Sequence, residues 1–174
     1  MAPRIFALFS ITVFLSMALF LGCQKSQGRG PIPQPIAFSH KIHAGDNQIP
    51  CLYCHTYADR SRVAGIPAVE TCMGCHKIVG LDKPEVQKIH DYWNKKEPIP
   101  WKRVHDLPDF VYFSHKRHVK AGVACETCHG PIAQMEIVAQ VSSLKMGWCV
   151  TCHESRAKDK EQLTVLKDCA TCHK

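Results

Sequence analysis

Apolar residues are distributed unevenly along this chain. From Ile5 to Leu21 they form one run of apolar and small hydroxyl residues without a charge. A short positive stretch, Met1-Ala2-Pro3-Arg4, precedes the run, and Gly22-Cys23 and a polar stretch from Gln24 to Pro35 follow it. Such a segment predicts an export signal, a helical membrane anchor, or both. Beyond it, Val86, Ile89 and Trp93 recur at helical spacing and predict a short helix within Lys83 to Lys96. Pro98, Pro100 and Pro108 then break regularity, as do the prolines of 31–35. No alternation of strand and helix is visible. The pattern predicts short helices and long loops with little sheet.

A pattern of a different kind explains how such a chain can hold together. Cys-x-x-Cys-His occurs five times, at Cys51–His55, Cys72–His76, Cys125–His129, Cys149–His153 and Cys169–His173. This is the attachment signature of c-type haem. The two thiols add to the haem vinyl groups, and the following histidine ligates iron from the proximal side. The predicted cofactors are therefore five covalently bound haem c groups. Their attachment residues are Cys51, Cys54, Cys72, Cys75, Cys125, Cys128, Cys149, Cys152, Cys169 and Cys172, with His55, His76, His129, His153 and His173 on the iron. Zinc ribbons do not require a histidine after every second cysteine, and a disulfide framework leaves the five histidines unexplained. A thioredoxin-like motif expects one copy within a βαβ pattern.

The cofactors change the reading of composition. About thirty residues per haem cannot enclose five macrocycles in an ordinary core. The porphyrins themselves are expected to form the apolar interior, under Phe38, Phe113, Tyr53, Trp101, Trp148 and Met73. The formal charge of +7 would otherwise suggest an acidic partner. A haem with two propionates carries about −1 when ferric and about −2 when ferrous, so five bring the total to about +2 or about −3. Nucleic acid is therefore not expected as a partner.

The exported part is built on a repeat. Phe38-Ser39-His40-Lys41-Ile42-His43 precedes the first haem motif, and Phe113-Ser114-His115-Lys116-Arg117-His118 precedes the third. The resulting organisation is a signal, lipoprotein or anchor segment over 1–23, a linker over 24–35, and a haem domain over 36–174. Its modules are 36–80 and 110–174. Histidines three apart share one helical face, so each pair can supply distal ligands to two neighbouring irons. His40 is expected over the first haem and His43 over a neighbour. Of six non-proximal histidines, His40, His43, His115, His118 and His105 make up five distal ligands, and His90 is assigned to the surface. Met135 or Met146 is the alternative for one position.

Several longer strings resemble the pentahaem cytochrome c subunit of alternative complex III, a bacterial quinol:cytochrome c oxidoreductase. They are Phe38–Gly45, Cys51–Thr56, Val63–Pro67, Val104–Phe113 and Met146–Cys149. The wider kinship is to cytochrome c7/c3-like multihaem proteins. The resemblance implies a periplasmic, membrane-held subunit that relays electrons and has no substrate site of its own. It also implies an iron–sulfur or molybdopterin-like partner, integral membrane quinol-oxidising subunits, and a cytochrome c or oxidase as acceptor. Cys23 departs from a plain membrane helix, since a lipid on this cysteine would serve as the anchor. The rival readings are a multihaem oxyanion reductase, which needs an open iron and acid/base groups, a quinol dehydrogenase cytochrome, and a c3-type periplasmic shuttle.

Overall fold

The computed structural model describes residues 29–173. The segment Ile5–Leu21 and Cys23 lie outside the described residues. Among those described, no helix is long and apolar enough to cross a membrane.

Nine short helical segments run through the described residues. They are α1 (Lys41–Asp46, a π-type turn), α2 (Cys51–Cys54), α3 (Val69–His76), α4 (Pro84–Lys95) and α5 (His115–Lys120), followed by α6 (Glu126–His129), α7 (Met146–Arg156), α8 (Lys160–Leu166) and α9 (Cys169–Cys172). A 3-10 turn spans Ile132–Gln134. Extended pairing among the described residues is limited to two antiparallel bridges, Arg29 with Gln140 and Val111 with His173.

Helix α4 is the one the apolar spacing predicts. Pro84 occupies its first turn, where a missing N–H costs nothing. Glu85 sits near the positive end of the helix and pairs with Lys88 at 2.6 Å. Lys96 ends the helix in the left-handed region, at φ 56°. Val86 and Ile89 are buried on its inner face, and Tyr92 and Trp93 pack beside them. That face meets α3, and with Ile36 and Ile99 it forms a small core of Ile36, Val69, Met73, Ile89 and Ile99. Gln34 fastens the entering segment by exchanging hydrogen bonds with the backbone of Lys102, at 3.1 and 2.9 Å.

Past Ile99 the polypeptide builds no comparable core. Every buried apolar side chain among the described residues lies between Ile36 and Ile99. The second module is fixed instead by polar cross-links to the first. The Ser61 carbonyl accepts from the Lys116 N–H at 3.0 Å, and the Arg62 carbonyl accepts from the His115 N–H at 3.0 Å. The Arg62 guanidinium lies 4.5 Å from the Tyr112 ring centre. On the other side, α1 rests on the 3-10 turn. The Lys41 N–H donates to the Met135 carbonyl at 3.0 Å, and the Lys41 ammonium meets Glu136 at 3.3 Å. Gly45 allows this approach, because a Cβ there would collide with the Ala133 carbonyl. The two modules therefore interlock from both ends.

Candidate haem-binding sites

Each Cys-x-x-Cys-His motif sits on one helical turn, in α2, α3, α6, α7 and α9. Cysteines three apart share a face of such a turn, and the histidine that follows emerges at its end. The ten motif cysteines are unpaired, so no disulfide competes for them.

The repeat Phe-Ser-His-Lys-x-His has the same geometry in both places. Phe38 meets His40 edge-on at 4.9 Å and stacks on His43 at 4.3 Å. Phe113 meets His115 at 4.8 Å and stacks on His118 at 4.4 Å. The Nδ1 of His43 bonds the Ser39 carbonyl at 2.8 Å, and that of His118 bonds the Ser114 carbonyl at 2.8 Å. Each phenyl ring thus locks two imidazoles at once.

The four imidazoles point at motif histidines. His40 faces His55 with ring centres 6.4 Å apart and planes within 4°. His115 faces His129 at 6.4 Å and 11°. His43 lies 6.0 Å from His76, and His118 lies 6.0 Å from His153. A metal–imidazole bond is about 2 Å, and the nitrogen lies roughly 1 Å from its ring centre. Two imidazoles on opposite sides of one metal should therefore sit roughly 6 Å apart. All four separations meet that requirement. They are too wide for a direct hydrogen bond. No cluster of three or more His, Cys, Asp or Glu forms a metal cage among the described residues. The donors are arranged as axial pairs with two thiols beside each, which fits covalently attached haem.

The protonation of these rings suits ligation as well. Nδ1 of His55 bonds the Gly65 carbonyl at 2.7 Å, that of His76 the Val79 carbonyl at 3.0 Å, and that of His153 the Leu166 carbonyl at 2.8 Å. His115 bonds the Arg62 carbonyl at 3.0 Å. A carbonyl can only accept, so the proton stays on Nδ1 and Nε2 keeps its lone pair for iron. Burial, with His55 and His43 nearby, holds His40 down to about 4. Burial, with His105 and His115 nearby, holds His129 at about 4. Both rings are neutral at physiological pH, as ligands must be.

Thiols of different motifs lie near one another. Cys54 lies close enough to Cys75 to feel its charge, and Cys72 feels Cys54. The Lys116 N–H on the Ser61 carbonyl and the His115 N–H on the Arg62 carbonyl bring the third motif's module against the first. Cys128 lies beside Cys152 and Cys149, and Cys149 beside Cys172. In every case burial is the larger influence raising the thiol pKa. The histidine pairs set the second motif beside the first and the third beside the fourth, the module join sets the first towards the third, and the fifth lies against Val111 and Tyr112. Sequence order alone does not give this arrangement, because the join of first to third depends on the long-range contacts around Ser61 and Arg62.

The remaining candidates are placed differently. His105 was expected as the fifth distal ligand. The structure puts it behind the third motif, where its Nε2 lies 3.2 Å from the Nδ1 of His129. The ring opposite His173 is that of Phe110, at 5.8 Å. His90 is half-buried rather than on the open surface, and its Nε2 bonds the His76 carbonyl at 2.8 Å. Met146 starts α7 and is 65% exposed. Met135 caps the 3-10 turn. The carbonyl acceptors at Ser39, Gly65, Val79, Arg62, Ser114 and Leu166 carry no sequence signal, apart from the serine of the repeat.

This donor set on a strand-poor helical chain resembles that of the multihaem c-type cytochromes, in which covalently attached haem c carries electrons. Residues 111–174 match the family described as cytochrome c7 and related cytochrome c. Over 165 residues the chain is 28% identical to the menaquinone reductase multihaem cytochrome c subunit of Nitratidesulfovibrio vulgaris Hildenborough, an alignment covering 81% of this chain and 77% of that protein.

Proposed function

We propose that the chain carries five haems and serves as the electron-relay subunit of a quinone-linked respiratory complex. It is held at the periplasmic face of the cytoplasmic membrane by residues 1–23 or by a lipid on Cys23. When bound, haem iron between two imidazoles supplies one-electron transfer with little rearrangement of its ligands. The chain's own residues do the rest. Phe38 and Phe113 hold the distal imidazoles in place, and backbone carbonyls orient most of the proximal ones. The pairs His40–His43 and His115–His118 each bridge two motifs, and the backbone bonds at Ser61 and Arg62 join the two bridged pairs. The observation that carries this reading is the spacing of the four opposed imidazole pairs.

The relay has no substrate site of its own in this reading. Imidazoles on both sides leave an iron no place for an oxyanion, which argues against a reductase for those four positions. Two quinone-linked settings have support. The strings Phe38–Gly45 and Val104–Phe113 favour alternative complex III, in which electrons leave quinol and pass from an iron–sulfur or molybdopterin-like partner to a cytochrome c or oxidase. The similarity to a menaquinone reductase subunit favours the opposite direction, with a periplasmic donor feeding menaquinone. The relay serves either direction.

The test has two parts. The mass of the mature chain should exceed that of the polypeptide by five haems. Solubilised membranes should yield the chain together with integral membrane subunits. Reduction of the purified complex by a menaquinol analogue, lost when those subunits are stripped away, is the expected result. Recovery as a lone soluble protein after detergent-free lysis would refute the membrane assignment.

A further inference from the structure

His105 is set against a ligand rather than against an iron. Its ring meets that of His129 at 72° with centres 4.4 Å apart, and its Nε2 is 3.2 Å from His129 Nδ1. The direction of this bond follows from ligation. A His129 that held haem iron through Nε2 would keep its proton on Nδ1, and His105 Nε2 would accept it. The equivalent Nδ1–H of His55, His76 and His153 goes to a backbone carbonyl. Of these four proximal histidines, His129 is the one supported by a side chain.

The segment bearing His105 is held for this purpose. Asp106 accepts from Arg103 at 3.0 Å and meets Arg29 at 3.9 Å. Arg29 in turn accepts from the backbone N–H of Gln140 at 3.0 Å, and Gln140 is buried. Three separate parts of the chain therefore converge behind the third motif. That motif also belongs to the part of the second module that meets the first, through His115 and Lys116.

We infer that His105 is a positioning residue that orients His129 and tunes the electron-donating strength of the third haem's proximal ligand. This rests on the proposed function, since it requires a haem on the third motif. An acceptor on Nδ1–H pushes the ligand towards imidazolate, which favours ferric iron and lowers the potential. Removing the acceptor raises the potential of that one site.

The experiment uses the full haem-loaded chain and the variants His105→Leu and His105→Gln. Redox titration followed in the visible spectrum is combined with electron paramagnetic resonance and a carbon monoxide difference spectrum. His105→Leu should move one couple of five upward by roughly tenfold in its one-electron equilibrium, about 59 mV, and change one set of low-spin g-values. His105→Gln keeps an acceptor and should fall nearer the parent. Neither variant should gain high-spin iron. An added carbon monoxide site would make His105 an axial ligand and overturn the inference, as would unchanged couples in both variants. If His105→Leu does not accumulate, His105→Gln decides alone: a displaced couple with every haem retained supports the role, and an unmoved one refutes it. Fewer than five haems on the parent chain, read beforehand by mass, would instead strike at the proposed function.

Discussion

Replacing His43 by alanine tests the axial geometry most directly. The change removes the imidazole whose centre lies 6.0 Å from that of His76 and leaves His76 with its bond to Val79. It also removes the stack on Phe38 at 4.3 Å, worth about 0.5–1.5 kcal/mol. His40 keeps its own place opposite His55. With the five haems proposed, one site should open and the other four should stay as they are. The reduced variant should therefore bind one more carbon monoxide per chain than the parent, a gain of one-fifth of the total haem. High-spin iron should appear in the same proportion. His90→Ala is the control, because the His90 Nε2 is engaged by the His76 carbonyl at 2.8 Å. The control should bind no more carbon monoxide than the parent. If His43→Ala gains none, or the control gains as much, the axial pairing of His43 with His76 is wrong.

Five further substitutions probe the scaffold. Gly130→Ala places a Cβ 2.7 Å from Val141 at φ +69°, whereas Gly122→Ala has open space at φ +73°. The second should lose about 1–2 kcal/mol from backbone strain alone, and the first distinctly more, as compared by thermal melting. Met73→Ala empties a core position that is 2% exposed and should cost about 2–5 kcal/mol in chemical denaturation. Ile78→Ala, at 82% exposed, should stay within about 0.5 kcal/mol. The Glu85 carboxyl is held below its usual range by Lys88 and the Ala37 N–H. Its contribution is therefore present above the ordinary carboxylate pKa and fades as pH falls through and below it. Glu85→Gln should flatten the acid limb of stability against pH by a few tenths of a kcal/mol, since the pair is exposed to solvent. An unchanged acid limb would remove Glu85 from that account.

Local features of this fold were readable from the residues, and distant ones were not. Helix α4 announces itself through Val86, Ile89 and Trp93, because an amphipathic helix needs only its own spacing and a surface to meet. The doubled string before the first and third motifs is legible for the same reason. Phe38 and Phe113 act on residues two and five positions away, so a short run of sequence contains the whole arrangement. His105 shows where such reading fails. Counting histidines makes it a ligand, but its placement depends on Asp106 reaching both Arg103 and Arg29. Nothing near residue 105 in sequence records the position of Arg29. The join between the two modules is hidden in the same way, since it turns on carbonyls at Ser61 and Arg62.

The Arg62 carbonyl accepts from both the backbone N–H and the Nδ1 of His115. A single oxygen in the first repeat therefore dictates how an imidazole of the second is aimed. The duplicated halves are not interchangeable cassettes. A spliced chimera that keeps every ligand but shifts the peptide plane at Arg62 would misdirect the joint between them, and the damage would appear at His115 rather than at the splice.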